Sequence, residues 1–182
     1  YRSWRWEYLK RFDYTPEDCL NFHSGIEKVV KPFVSKLIKE RKEQLGLDVL
    51  KPWDLSVDPF NRDPLTPFKK ASELEEKCHN IFEAVDADLG NHFSIMRDQN
   101  LLDLANRKGK APGGYCTEYY HRRLPFIFMN AVGTHNDVQT MLHEGGHAFH
   151  VFESDQLPYA WQREVGMEFA EVASMSMELL AA

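Results

Sequence analysis

Thr140-Met141-Leu142-His143-Glu144-Gly145-Gly146-His147-Ala148-Phe149-His150 is the stretch whose reading decides the fold. Met141, Leu142, Ala148, Phe149 and then Val151 recur at helical spacing, which predicts a buried or half-buried helix capped at Asn136 or Asp137 and running to about Val151. On such a helix His143 and His147 lie one above the other, roughly 5–6 Å apart at Cβ, so both imidazoles can reach one ion. Zinc takes nitrogen ligands at about 2.0–2.1 Å in a tetrahedron and keeps one position open for water at a catalytic site. Glu144, next along the chain, is placed to take a proton from a zinc-bound water, whose pKa falls toward about 7, as it attacks a carbonyl. The spacing thus reads as metal-assisted hydrolysis with one Zn2+ per chain. Two surface histidines flanking a glutamate would give the same pattern by accident, but here the apolar surroundings would leave two imidazoles and a carboxylate desolvated without partners. Gly145 and Gly146 each cost about 1 kcal/mol against Ala inside a helix. A close approach is therefore expected at both, either by a packed helix or by a substrate backbone.

A third protein ligand is needed, and the search runs downstream. The extended form of the motif would put glycine at position 150 and histidine at 153, where this chain has His150 and Glu153, so that subclass is excluded. Four carboxylates, Glu164, Glu168, Glu171 and Glu178, share one face of a last helix expected from about Tyr159 to the end of the chain. Such a stripe is ordinarily a solvated face. Glu171, however, interrupts Phe169-Ala170 and Val172-Ala173, which makes it the carboxylate most in need of a cation. Glu178, two turns on, is either a support for the site from outside the ligand set or an exposed acid. Glu164 and Glu168 are read as surface acids.

Upstream, Thr15-Pro16-Glu17-Asp18 is a helix start, with a hydroxyl cap, proline at the first position and acids against the positive dipole end. Ile26, Val29, Val30, Phe33, Leu37 and Ile38 carry the stripe to about Leu45-Gly46, with a kink expected at Pro32. Residues 47–70 read as an irregular connection. Ser72 with Glu75 forms a capping-box signature before a short helix through Leu74, Cys78, Ile81, Phe82 and Val85. A second helix is expected from about Asp88 to Arg107, then a turn-rich loop over Lys108–Gly114. Arg123–Val132 carries the one clear strand run, and Pro125 predicts an edge or early-strand position there. The fold class is mainly α, a helical zincin-like catalytic region with a small β element before the histidine helix.

Composition narrows the classes. The chain has 182 residues, 43% of them apolar and 27% charged, with a net charge of −6. No apolar run approaches the roughly 18 residues of a spanning helix, so a membrane protein is not expected. Basic residues are interspersed with acids, so nucleic acid is not an expected partner. Cys19, Cys78 and Cys116 are odd in number and lie outside any CxxC spacing, which favours a reducing, cytoplasmic location. The chain opens at Tyr1 without methionine and ends at Leu180-Ala181-Ala182 within an apolar helical pattern. It reads as one piece, 1–182, of a larger helical catalytic domain, truncated at both ends.

Thr140–His150, the Phe169-Ala170-Glu171-Val172-Ala173-Ser174 segment and the Gly109-Lys110-Ala111-Pro112-Gly113-Gly114-Tyr115 loop resemble the oligoendopeptidase F branch of the thimet oligopeptidase group of zinc metalloendopeptidases. Phe12-Asp13-Tyr14-Thr15-Pro16 and Pro52-Trp53-Asp54-Leu55 are similar too, so the resemblance covers nearly the whole chain. It implies His143, His147 and Glu171 as zinc ligands, Glu144 as general base and an oligopeptide as substrate. Ala173 stands where many relatives have proline, a change that leaves the ligand in place. The resemblance further implies that oxyanion-stabilising His and Tyr side chains come from a later segment, so the remaining C-terminal part of the parent chain is an expected partner and the isolated piece is expected to be poorly active. Peptides in that group lie along a strand, which here would be Leu124–Val132, with Phe126, Phe128 and Asn130 as candidate substrate contacts by β-augmentation. The alternative is a core strand with Phe126 and Phe128 packed inward. Tyr115, Tyr119 and Tyr120 are read as packing aromatics.

Two other classes compete. ExxH pairs occur at Glu76 with His79, Glu118 with His121 and Glu144 with His147, which permits a di-iron carboxylate oxidoreductase. It is disfavoured because no long helix fits between Gly114 and Pro125 and because His143 is left without a role. A helical interaction module without chemistry is the third reading.

Overall fold

The computed structural model describes residues 14–181; Phe12 and Asp13 of the opening segment, and Ala182, lie outside them. The chain divides into two compact units after Asp63. In the first, helix α1 spans Pro16–Gln44 and continues through Pro32. Thr15 and Asp18 cap it reciprocally: Asp18 Oδ2 accepts from the Thr15 N–H at 2.7 Å, and the Asp18 N–H donates to Thr15 Oγ1 at 3.3 Å. The stretch 47–70 is irregular, as expected, except for one 3-10 turn at Pro52–Ser56. Proline at its first position and Asp54 Oδ2 accepting from the Lys51 N–H at 2.8 Å account for that turn. Arg41 donates to the carbonyls of Leu55, at 3.1 Å, and Val57, which ties the turn to the end of α1.

The second unit holds α2 (Ala71–Val85), α3 (Ala87–Asp98), β1 (Leu102–Ala105), β2 (Tyr115–Tyr119), β3 (Leu124–Ala131), α4 (His135–Asp155), α5 (Ala160–Arg163) and α6 (Met167–Leu180). Helix α2 begins at Ala71, not at a Ser72 cap. The start is set by Phe68, which is buried, and by Glu73, whose Oε2 accepts from the Lys69 N–H at 2.9 Å. The helix expected to reach Arg107 stops at Asp98 instead. Asn100 turns the backbone left-handed, at φ 55°, and Leu102–Ala105 becomes a strand parallel to β3. Four residues are too few for the Leu102-Asp103-Leu104 alternation to register as a strand against the helical pattern before it.

The sheet order is β1-β3-β2, with β2 antiparallel to β3. Strand β3 is therefore the middle strand rather than an edge, and Pro125 is accommodated because it is the second residue of the strand. The period-2 geometry buries Pro125, Ile127 and Met129 on the core side, so Phe126, Phe128 and Asn130 face the other way, half-buried. Of the two phenylalanines considered for inward packing, Phe126 still packs against the rim of the core and Phe128 does not. The core joins Leu74, Cys78 and Phe82 of α2, Phe93 and Met96 of α3, Ile127 and Met129 of β3, and Met141, Leu142, Ala148 and Phe149 of α4. At its centre Phe82 meets Phe149 edge-on at 4.8 Å and 88°.

Helix α4 starts at His135, one to two residues before the expected cap, because Thr134 and Asp137 form a capping box. Asp137 is buried and its Oδ2 accepts the N–H groups of Val132, Gly133 and Thr134 at 3.0, 2.9 and 2.8 Å. The last helix does not run unbroken from Tyr159. It is divided into α5 and α6, with Gly166 at the N-cap of α6. Among the described residues no helix is long and apolar enough to cross a membrane, and Cys19, Cys78 and Cys116 are free thiols.

Candidate metal centre

The two glycines of the motif explain how α4 and α6 come together. A Cβ on Gly146 would lie 2.5 Å from the Ala173 carbonyl oxygen and 2.6 Å from Ser174 Cα, so only glycine lets the two backbones approach this closely. A Cβ on Gly145 would lie 2.5 Å from Cζ of Phe82, so that face is filled by α2. Of the two approaches left open by the sequence, helix packing is what the structure contains at both positions.

This contact brings Glu171 of α6 opposite the histidines of α4. His143 Nε2 lies 3.3 Å from Glu171 Oε2, and His147 Nε2 lies 3.8 Å from Glu171 Oε1. One ligand atom from each of the three residues lies within 4.8 Å of the others, and all three side chains are half-buried. The imidazole rings stand at 85° with centroids 5.0 Å apart. Glu178, from the same face of α6, accepts from His143 Nδ1 at 2.7 Å. The other ring nitrogen of His143, Nε2, faces the Glu171 carboxylate. Burial pushes the His147 pKa down, with Glu171 opposing the shift, and so favours the neutral ring. The two Nε2 atoms and the Glu171 carboxylate oxygens thus converge, nitrogen and oxygen ligand types that a shared cation satisfies. Tetrahedral zinc at about 2.0–2.1 Å would need donor separations of roughly 3.3–3.5 Å; the 3.3 Å pair meets that demand and the 3.8 Å pair would have to close by a few tenths of an ångström.

Glu144 is 7% exposed and lies next to this set. Burial raises its pKa; the neighbouring His143 and the Cys116 backbone N–H hold the rise in check. Cys116 belongs to β2, and a cleft of about 440 Å³ is lined by β2 residues Tyr115–Glu118 together with His143, Glu144, His147 and Glu171. The strand beside the cleft is therefore β2, whose outer edge is unpaired, and not β3. Phe126, Phe128 and Asn130 do not line this cleft. Asn130 donates instead to the carbonyls of Ala111 and Gly113 at 2.8 and 2.9 Å, which fixes the loop leading into β2. Tyr115 stacks on Phe128 at 5.0 Å and also lines the cleft. Sequence reasoning missed Ser174, fully buried, whose hydroxyl lies 2.9 Å from Glu171 Oε2 and 3.0 Å from the Glu171 carbonyl and holds the carboxylate in place. Its signal was the i+3 spacing from Glu171. Glu168, in the first turn of α6, is exposed; Glu164, also exposed, lies at the C-terminal end of α5 and so does not share the α6 face expected for it. Of the di-iron pairs, Glu118 lies on β2 with His121 in the following turn, and His79 is hydrogen-bonded to Ser94 at 2.8 Å.

The sequence profile of peptidase family M3 matches residues 1–182, the whole chain. The chain belongs to peptidase family M3. Members of this family are metallopeptidases. A solved structure of PZ peptidase A with an inhibitor is 35% identical and superposes over 95% of this chain and 31% of its own length, with a TM-score of 0.88. Group B oligopeptidase PepB of Streptococcus agalactiae is 28% identical over 148 residues, 81% of this chain and 24% of that protein. The chromosomal oligoendopeptidase F of Lactococcus lactis subsp. cremoris is 25% identical over the same shares. This M3 chain spans about a quarter of the length of the curated relatives it matches.

Proposed function

We infer that this chain is part of the catalytic region of a zinc-dependent oligopeptidase, one piece of a larger helical domain, acting on oligopeptides in a reducing compartment such as the cytoplasm. The observation that carries the reading is the convergence of His143, His147 and Glu171 within 4.8 Å, with buried Glu144 alongside. One zinc, held by these three side chains, would lower the pKa of a water toward about 7 and polarise the scissile carbonyl. Glu178 fixes the His143 ring through Nδ1, and Ser174 fixes the Glu171 carboxylate. Glu144 takes the proton of the attacking water and returns it to the departing amine. The substrate backbone pairs along the unpaired edge of β2, which lines the cleft, in place of the β3 contacts expected from sequence. By the resemblance, donors for the carbonyl oxyanion come from the remainder of the parent chain; loss of one such donor costs about 10²–10³ in rate.

The test is Glu144→Gln in the longest soluble form of the protein. An amide oxygen cannot accept the water proton, so zinc content should be unchanged while peptide hydrolysis falls by at least about 10²-fold. Retained activity in that variant removes Glu144 from the mechanism.

A further inference from the structure

The cleft at the metal centre adjoins a second cavity of about 410 Å³, and the two share Glu118, His150 and Val151 in their walls. Val151, Ala160 and Val165 give the second cavity an apolar lining, and Tyr120 adds a largely exposed aromatic ring. The one cationic side chain lining it, Arg163, is already engaged. Its Nε and Nη2 donate to the Leu157 carbonyl at 3.1 and 2.9 Å, and its Nη1 lies 3.4 Å from Asp155 Oδ1. Two polar groups in the shared wall are not engaged. Glu118, half-buried on the edge strand, has no hydrogen-bond or ion-pair partner among the described residues. His150, one turn beyond His147, has a buried Nε2 with no hydrogen-bond partner. Glu164 contributes a second carboxylate to the lining.

An aliphatic stem ending in several N–H donors and a positive charge matches such a lining. The stem packs on the valines, and the head satisfies the carboxylate. Resting on the peptidase reading above, we propose that this cavity is a side-chain subsite that selects a cationic residue, arginine or lysine, close to the scissile bond, with Glu118 as the group that recognises the charge.

The test uses the zinc-loaded chain carrying Glu144→Gln, so that peptides are bound without being consumed. Capped hexapeptides hold, at one position at a time, either arginine or its neutral isostere citrulline, and affinities are read by fluorescence anisotropy. At one position the arginine peptide should bind about 5–10-fold tighter, the scale of one charged hydrogen bond at a half-exposed site. Adding Glu118→Gln should bring that ratio to about one. Glu118→Lys should invert the preference toward a glutamate peptide, a result that damage to the fold cannot produce. Equal affinities within every pair, or an arginine preference that survives Glu118→Gln, overturns the proposal. Failure of all peptides to bind would instead overturn the peptidase reading, and the subsite with it.

Discussion

Lys110, whose side chain is only 1% exposed, shows how single residues set the geometry of the cleft from outside it. Its Nζ donates to the carbonyls of Asp103 at 2.8 Å, Ala105 at 3.0 Å and Met129, and to Asp103 Oδ1 at 3.0 Å. It also lies 4.4 Å from the centroid of Phe128, on which Tyr115 stacks. A buried ammonium thus pins the loop that delivers β2 to Glu144. Its carboxylate partner has a testable signature. The Arg107 hydrogen bonds, with Lys110 adding to them, hold the Asp103 carboxyl down at about 2. Because the folded value lies below the unfolded one of about 3.9, the stabilisation is complete above that pH and is lost as pH falls from about 4 to 2. Asp103→Asn should therefore lower Tm at pH 7 and flatten the acid limb of the Tm profile between pH 4 and 2. Parallel profiles for the two proteins would show that Asp103 contributes nothing through its charge. The clustering of His143, His147 and Glu171 was legible because HExxH stacks its two histidines by spacing alone and Glu171 breaks an apolar run. Lys110 and Ser174 were not, since their partners are carbonyls and a carboxylate brought close only by the fold.

The elements were legible in proportion to their length and amphipathic period. Helices α1, α2 and α4 stood out because apolar residues recur at helical spacing over three or more turns. Strands β1 and β2, of four and five residues, did not. β1 is too short for its Leu102-Asp103-Leu104 alternation to register, and β2 is an edge strand whose tyrosines read as packing residues. The consequence was functional, because the edge beside the cleft was assigned to β3. The contact of α4 with α6 makes a prediction at this scale. Gly146→Ala would force a Cβ to within 2.5 Å of backbone, whereas Gly145→Ala meets the tip of a phenylalanine ring. Against a helix-propensity gain of about 1 kcal/mol, overpacking of about 1–3 kcal/mol should make Gly146→Ala the more destabilising of the two. It should also weaken metal binding by displacing Glu171. Chemical denaturation and chelator titration of both variants check this ranking, and a Gly146→Ala protein as stable and as metal-tight as the parent would contradict the close approach of α4 and α6.

For the whole molecule, the proposed function assigns the metal-holding and proton-accepting groups to this chain and the oxyanion donors to the rest of the protein. The chain covers about a quarter of its curated relatives' length, so the expected outcome is a division of labour. The 182-residue chain should bind zinc and gain thermal stability from it, while peptide turnover stays far below the 1–10³ per second or so common among enzymes until the rest of the protein is supplied. Full turnover by this chain alone would require the oxyanion donors to lie among its own residues. The central claim is the ligand set, and metal content by mass spectrometry tests it most directly. The purified chain should carry one zinc; Glu171→Ala should lose it to chelator far more readily than Glu164→Ala, Glu168→Ala or Glu178→Ala. Two irons per chain, no metal, or a zinc that survives Glu171→Ala unchanged would contradict it.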